Sequence, residues 1–110
     1  MDNVKDDHYY VDRIKTDLKF VIDHTEGKTM EDLENDEILV DSVLFRIIQI
    51  AENNSKLTDS FREQHADIPW LAIKGMRNII VHNYGHVDLA FVYDTVIHGI
   101  PEMYERLKDL

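Results

Sequence analysis

The sequence predicts an all-α fold, a bundle of four to five antiparallel helices joined by short loops. Three observations carry this expectation. Apolar residues recur at spacings of three and four along most of the chain, the period of a helix that buries one face. Residues that stop or start helices, Gly27, Pro69 and Gly85, punctuate those runs. No period-two alternation is long enough for a useful strand, and the chain carries no repeats or low-complexity tracts. A chain of 110 residues suits one domain, 1–110, built on one core.

Taken in order, the first helix is expected from about Asp2 or Asp7 to Glu26, with Val11, Ile14, Leu18, Val21 and Ile22 on one stripe and Gly27 as its stop. Thr29 can cap a short turn that leads into an acidic run from Glu31 to Glu37, which reads as a solvated face or a short helix beside the core. From about Asp36 to Phe61 lies the most apolar segment, with Val40, Val43, Leu44, Ile47, Ile48, Ile50, Ala51, Leu57 and Phe61 on a wide arc. Leu39 and Phe45 lie off that arc, which is wider than one side of a small bundle needs, so either part of it faces a second subunit or the helix is a central one buried on most sides. Asn53-Asn54-Ser55 marks a bend in this segment, and residues from Arg62 to Ile68 read as a loop. Pro69 suits the first turn of the next helix, with Asp67 as its cap and Trp70, Ile73, Met76, Ile80 and Val81 as its apolar part. Gly85 ends it. The last helix starts at Asp88, carries Leu89, Val92, Val96, Ile100, Met103 or Tyr104, and Leu107, and should kink or break at Pro101.

Composition narrows the function classes. Hydrophobic residues make up 44% of the chain, enough for a globular protein despite 31% charged residues. There is no cysteine, so disulfides and thiolate metal sites are excluded. No apolar run is long enough for a membrane span, and the N-terminus is too acidic for a signal peptide, so a cytoplasmic protein is expected. With 22 acidic against 12 basic residues, the net charge of −10 opposes general nucleic-acid binding at long range. From Ile68 to Val87, however, there is no carboxylate, and this gap holds Lys74, Arg77, His82 and His86, so a local anion site is possible. A phosphate-binding glycine loop is absent, as is a Gly-Ser followed by spaced aspartates, so the chain is not itself a nucleotidyltransferase.

Chemistry concentrates in Arg77-Asn78-Ile79-Ile80-Val81-His82-Asn83-Tyr84-Gly85. On a helix, Gly75, Asn78 and His82 share one stripe, and Arg77, Val81 and Tyr84 share the next one round. Gly75 lowers helix stability by about 1 kcal/mol relative to alanine, which makes sense if a substrate, another chain or a crossing helix of the same bundle approaches there. Arg77 offers a planar fork of donors to a phosphate oxygen. His82 can take a proton from a ribose 2′-hydroxyl or give one to a leaving oxygen. Together they supply the parts for metal-free RNA cleavage, with Arg77 stabilising the charged phosphorane, although an Arg and a His near a helix end also suit the helix dipole. Asn78 can orient Arg77 or His82, bond the phosphate, or only bridge helices. Arg77 and His82 are about 140° apart on an ideal helix, so their convergence needs the long Arg side chain, an altered last turn or a second subunit. Gly85 separates His82 from His86 and Asp88, which argues against a shared metal site, and neither metal nor cofactor is expected.

The spacing Arg77-x4-His82-x-Tyr84, with Asn78 directly after the arginine, resembles the signature of the HEPN superfamily of small all-helical proteins, and within it the HepT branch. The likeness extends to Asp67-Ile68-Pro69-Trp70, to Gly75-Met76 and to Val87-Asp88, and covers most of the chain. Ile50-Ala51-Glu52 looks like a degraded Gly-Glu-Ala segment of this branch, and the departures at Ala51 and Asn53-Asn54 lie outside the motif. The resemblance implies a homodimer that apposes two motifs, with Arg77 and His82 as the catalytic pair and Asn78 in support. It further implies a metal-independent ribonuclease toxin of a type VII toxin–antitoxin system, cutting RNA of which tRNA is the expected class. The partner would be a minimal nucleotidyltransferase that transfers AMP to Tyr84 and blocks the toxin. Bulk and negative charge at Tyr84 would exclude RNA phosphate without refolding, whereas an aromatic that merely packs at the helix end is the plainer reading of the residue alone. The competing class is a non-catalytic helical subunit that binds the nucleotidyltransferase, a reading the acidic charge favours.

Overall fold

The computed structural model describes residues 5–83 and 85–110, and these form helices with no strand among them. Helix α1 spans Asp7–Thr25, capped by Asp6, whose side chain accepts from the backbone N–H of Tyr9. Successive turns are anchored by Val11, Ile14, Leu18 and Val21, all essentially inaccessible, and Ile22 is half-buried. Gly27 then takes a positive φ of 75°, the conformation that lets the chain leave the helix. Short helix α2 (Met30–Glu34) follows, started by a reciprocal cap between Thr29 and Asp32 and tied to the core by Leu33. The Thr29 backbone N–H, and after it the Thr29 hydroxyl, hold the Asp32 carboxyl below the usual carboxylate range.

Helix α3 spans Glu37–Ser55 and buries Val43, Leu44, Ile47, Ile50 and Ala51 against α1 and α5. A partly buried contact ties it to α1: Arg46 donates to the buried Asp17 Oδ1 at 2.7 Å while its guanidinium lies 3.9 Å from the centroid of the Phe20 ring. At the other end, Asp7 accepts from the backbone N–H of Thr58 at 2.8 Å and from its hydroxyl at 2.7 Å, so the start of α1 meets the exit of α3 and the two run antiparallel.

The expected bend at Asn53-Asn54-Ser55 is instead the end of the helix. Both asparagines are buried: Asn53 donates back to the Gln49 carbonyl, and Asn54 reaches across to the Trp70 carbonyl at 3.1 Å. Thr58 then caps a separate helix, α4 (Asp59–Gln64), so Arg62 to Gln64 are helical where the sequence suggested a loop. Helix α5 (Trp70–His82) begins after Pro69 with no side-chain cap. Asp67, the expected cap, turns away to Arg106, which donates to it at 3.1 Å.

Helix α6 (Leu89–Asp94) is capped by Asp88, which accepts from the N–H of Ala90. It continues through a π-turn at Thr95–Gly99 into α7 (Ile100–Leu107). Of the kink or break expected at Pro101, a break does not occur; the helix is instead locally widened just before it. Proline has no N–H and crowds the carbonyl four residues back, and the widened turn, in which the Ile100 N–H bonds to the Thr95 carbonyl, accommodates it within a continuous helical path. Val96, Ile100, Met103 and Leu107 close the core against α1, and Val92 is buried on α6, which packs on α2. No helix among the described residues is long and apolar enough to cross a membrane.

Leu18, fully buried where α1 faces the rest of the core, tests this packing. Leu18→Ala is expected to lower the unfolding free energy by about 2–5 kcal/mol, measured by urea denaturation at unchanged m-value.

Candidate functional site

The rotational phase of α5 is set by three buried side chains, Trp70, Ile73 and Ile80. Trp70 also donates its indole N–H to the carbonyls of Arg62 (3.2 Å) and His65 (3.0 Å), which fixes the start of the helix against the end of α4. Once Ile73 and Ile80 point inward, every other side chain has an assigned direction, because each residue turns the helix by about 100°. Arg77 and Asn78 fall at the edge of the core and are half-buried; His82, Leu71, Gly75 and Ile79 face outward. Val81, expected among the core residues, is 43% exposed, because the helix phase that buries Ile80 turns its neighbour out.

Arg77 is held from two sides. Its Nε donates to Glu52 Oε1 on α3 at 3.1 Å, and its Nη1 donates to Asn78 Oδ1 at 3.1 Å. Of the roles open to Asn78 in the sequence, the structure thus supplies one, orienting the arginine. Both residues line a groove of about 460 Å³ between α3, α4 and α5, together with Glu52, Asn54, Lys74 and Trp70 among others. His82 does not line this groove, and among the described residues no hydrogen bond or ion pair joins it to Arg77. The structure therefore brings Arg77 and Asn78 together and leaves His82 apart, on the outward face. Tyr84 lies outside the described residues.

Two features of the neighbourhood escape a reading of the motif alone. Glu52 is the carboxylate partner of Arg77 across 25 positions of sequence, and its only signal was its place in the degraded Gly-Glu-Ala segment. The carboxylate-free stretch from Ile68 to Val87 is likewise not carboxylate-free in space, since Glu52 and Asp59 supply acids to the same groove. Among the described residues nothing stands within 4 Å of where a Cβ on Gly75 would be, so no described helix of the chain crosses there. Asn83 donates its side-chain amide to the Ile79 carbonyl at 2.9 Å and serves the helix end.

A family profile described as "Ribonuclease HepT-like" matches residues 14–110, nearly the whole chain and all of this site. The chain belongs to the HepT-like ribonuclease family. It is 30% identical over 101 residues to "Putative RNase TTE0752" of Caldanaerobacter subterraneus subsp. tengcongensis, covering 92% of this chain and 90% of that one. It is 32% identical over 94% of its length to "Gamma-glutamylcyclotransferase and putative RNase MJ0434" of Methanocaldococcus jannaschii, of which it spans 46%. It is also 25% identical over 92% of its length to "Probable ribonuclease HepT" of Thermococcus cleftensis, covering 92% of that protein as well. No solved structure matches it. As a HepT-like chain of the HEPN superfamily, it presents the arginine of the family-like motif in a groove and the histidine on an open helix face.

The Arg77–Glu52 pair is partly exposed on both sides, 36% and 51%, so solvent screens it. Glu52→Ala is expected to change folding stability by less than about 1 kcal/mol in urea denaturation, which leaves the site open to functional dissection without loss of the fold.

Proposed function

We propose that this HepT-like chain is the ribonuclease toxin of a type VII toxin–antitoxin pair, acting on RNA, with tRNA as the expected class, without a metal ion. In this reading Arg77 binds and stabilises the phosphate, Asn78 orients Arg77, and His82 transfers the proton, with the ribose 2′-hydroxyl as the internal nucleophile. The observation that carries it is the outward face of α5. There His82 stands with Leu71, Gly75 and Ile79 on a helix side that the described residues leave largely exposed, about 140° round the helix from Arg77.

Leu71 and Ile79 are 83% and 44% exposed on this face; Ile38 and Phe45 of α3 are also exposed, at 81% and 56%, with Phe45 on the side of α3 that meets α1. Apolar side chains this exposed, beside a glycine with open space before it, suit a second copy of the chain. Two copies packed on this face would bring a second Arg77 and a second His82 to one place, which supplies both a general base and a general acid. Tyr84, two residues after His82, is the proposed acceptor of AMP from a minimal nucleotidyltransferase, and a cytoplasmic location follows from that partnership.

The test is cleavage of end-labelled total tRNA in EDTA by the purified wild-type protein beside folded His82→Ala and Arg77→Ala. Cutting by the wild type, with a loss of about a hundredfold or more in either variant, is the expected outcome. Cleavage that persists in folded His82→Ala would remove His82 from the mechanism. Absence of cutting by all three, with no AMP mass on the wild-type Tyr84, would favour the non-catalytic subunit that binds a nucleotidyltransferase.

A further inference from the structure

The groove beside Arg77 extends toward the start of α5, away from the motif, and its lining is unequal in charge. Three cations, Arg62, Lys74 and Arg77, face two carboxylates, Glu52 and Asp59. Arg77 is paired with Glu52, and Arg62 with Asp59 at 2.8 Å while its other nitrogen donates to the Asn54 carbonyl at 2.7 Å. Lys74 is exposed and, among the described residues, has no carboxylate partner. In a chain of net charge −10, this groove is thus locally cationic, and the uncompensated charge belongs to a flexible ammonium three residues before Arg77.

Three residues make nearly one helical turn, so Lys74 and Arg77 lie along the same side of α5 with their Cα atoms about 4.5 Å apart along the axis. Both side chains lean toward the helix N-terminus, which preserves that offset. Between and beyond them the wall is formed by Ala51, Trp70 and Leu71, and the volume of about 460 Å³ lies within the range of roughly 300–1,000 Å³ typical of small-molecule sites. Asn54 and Arg62 tie the end of α3, α4 and the first residue of α5 together, so the wall is pre-formed.

The geometry points to Lys74 as the binding residue for the RNA phosphate next to the one held by Arg77, with the intervening nucleotide seated in the groove between α3, α4 and α5. This rests on the ribonuclease reading above and adds to it a direction: the strand leaves the reacting phosphate toward Trp70, not toward Gly85. Lys74 takes no part in bond making. Its effect is on binding, as a point charge that a second cation can replace.

The experiment measures cleavage of a short single-stranded oligoribonucleotide by the wild type, Lys74→Ala, Lys74→Arg and the control Lys19→Ala on α1, across a range of salt. Anisotropy of the same labelled oligonucleotide reads binding without cutting. Expected for Lys74→Ala are a KM raised about fivefold at low salt, a kcat within about twofold of wild type, and a salt dependence of log(kcat/KM) shallower by about 0.7. Lys74→Arg should restore both, and Lys19→Ala should change neither. A wild type that cuts while Lys74→Ala keeps its KM and salt slope, or loses kcat at unchanged KM, overturns the assignment of Lys74 and leaves the ribonuclease reading intact. A wild type that binds the oligonucleotide in a Lys74-dependent way but never cuts it overturns the ribonuclease reading and keeps the phosphate site. A wild type that neither binds nor cuts overturns both.

Discussion

Burial of Ile73 and Ile80 is the constraint on which the candidate site depends. Both lie on one side of α5, nearly inaccessible, and they fix the rotation of a helix whose remaining residues then have no choice of direction. Arg77 is carried to the groove edge and His82 to the open face. Four residues of helix separate the two and place them about 140° apart, and among the described residues no hydrogen bond or ion pair joins them. The proposed dimer resolves this geometry without strain, since the missing partner for each group comes from the second copy. It also gives a use to an otherwise unfavourable helix-interior glycine, Gly75, whose missing side chain leaves open space on that same face.

Electrostatics work on a shorter scale than the whole-molecule charge suggests. A net charge of −10 repels RNA at a distance, but screening confines that field to roughly 8–10 Å at ordinary salt. Within the groove, Glu52 orients Arg77 through Nε, and Asn78 engages Nη1, which leaves part of the guanidinium fork for a phosphate oxygen. A carboxylate at this position reduces the local positive charge while holding the guanidinium in one direction. The pair is exposed enough that an incoming phosphate can compete for it, which a deeply buried pair would resist.

Much of the fold was legible because it follows local rules. The stripe of α1, the Thr29 cap, the stops at Gly27 and Gly85 and the Asp88 cap all depend on residues a few positions apart. What was missed depends on contacts across the chain. Asp67 is a plausible cap in sequence, but Arg106, 39 residues on, draws its carboxylate away. The asparagines after Ala51 read as a bend, yet Asn54 is fixed by the Trp70 carbonyl 16 residues later, and this ends α3 so that Thr58 can start α4. In the site, Arg77 and Asn78 were legible as neighbours, whereas Glu52 and Lys74 acquire their roles only when α3 and α5 lie side by side.

The most direct measurement of the proposed two-copy site is sedimentation velocity on wild type and Ile79→Glu, with tRNA cleavage assayed on the same samples. Ile79 is partly exposed and makes no part of the buried core, so the charged variant should keep its helical circular dichroism. The expected result is a dimeric wild type that cuts and a folded, monomeric Ile79→Glu that does not. A monomeric Ile79→Glu that cuts RNA at the wild-type rate would contradict the account, because one chain would then suffice to join Arg77 and His82.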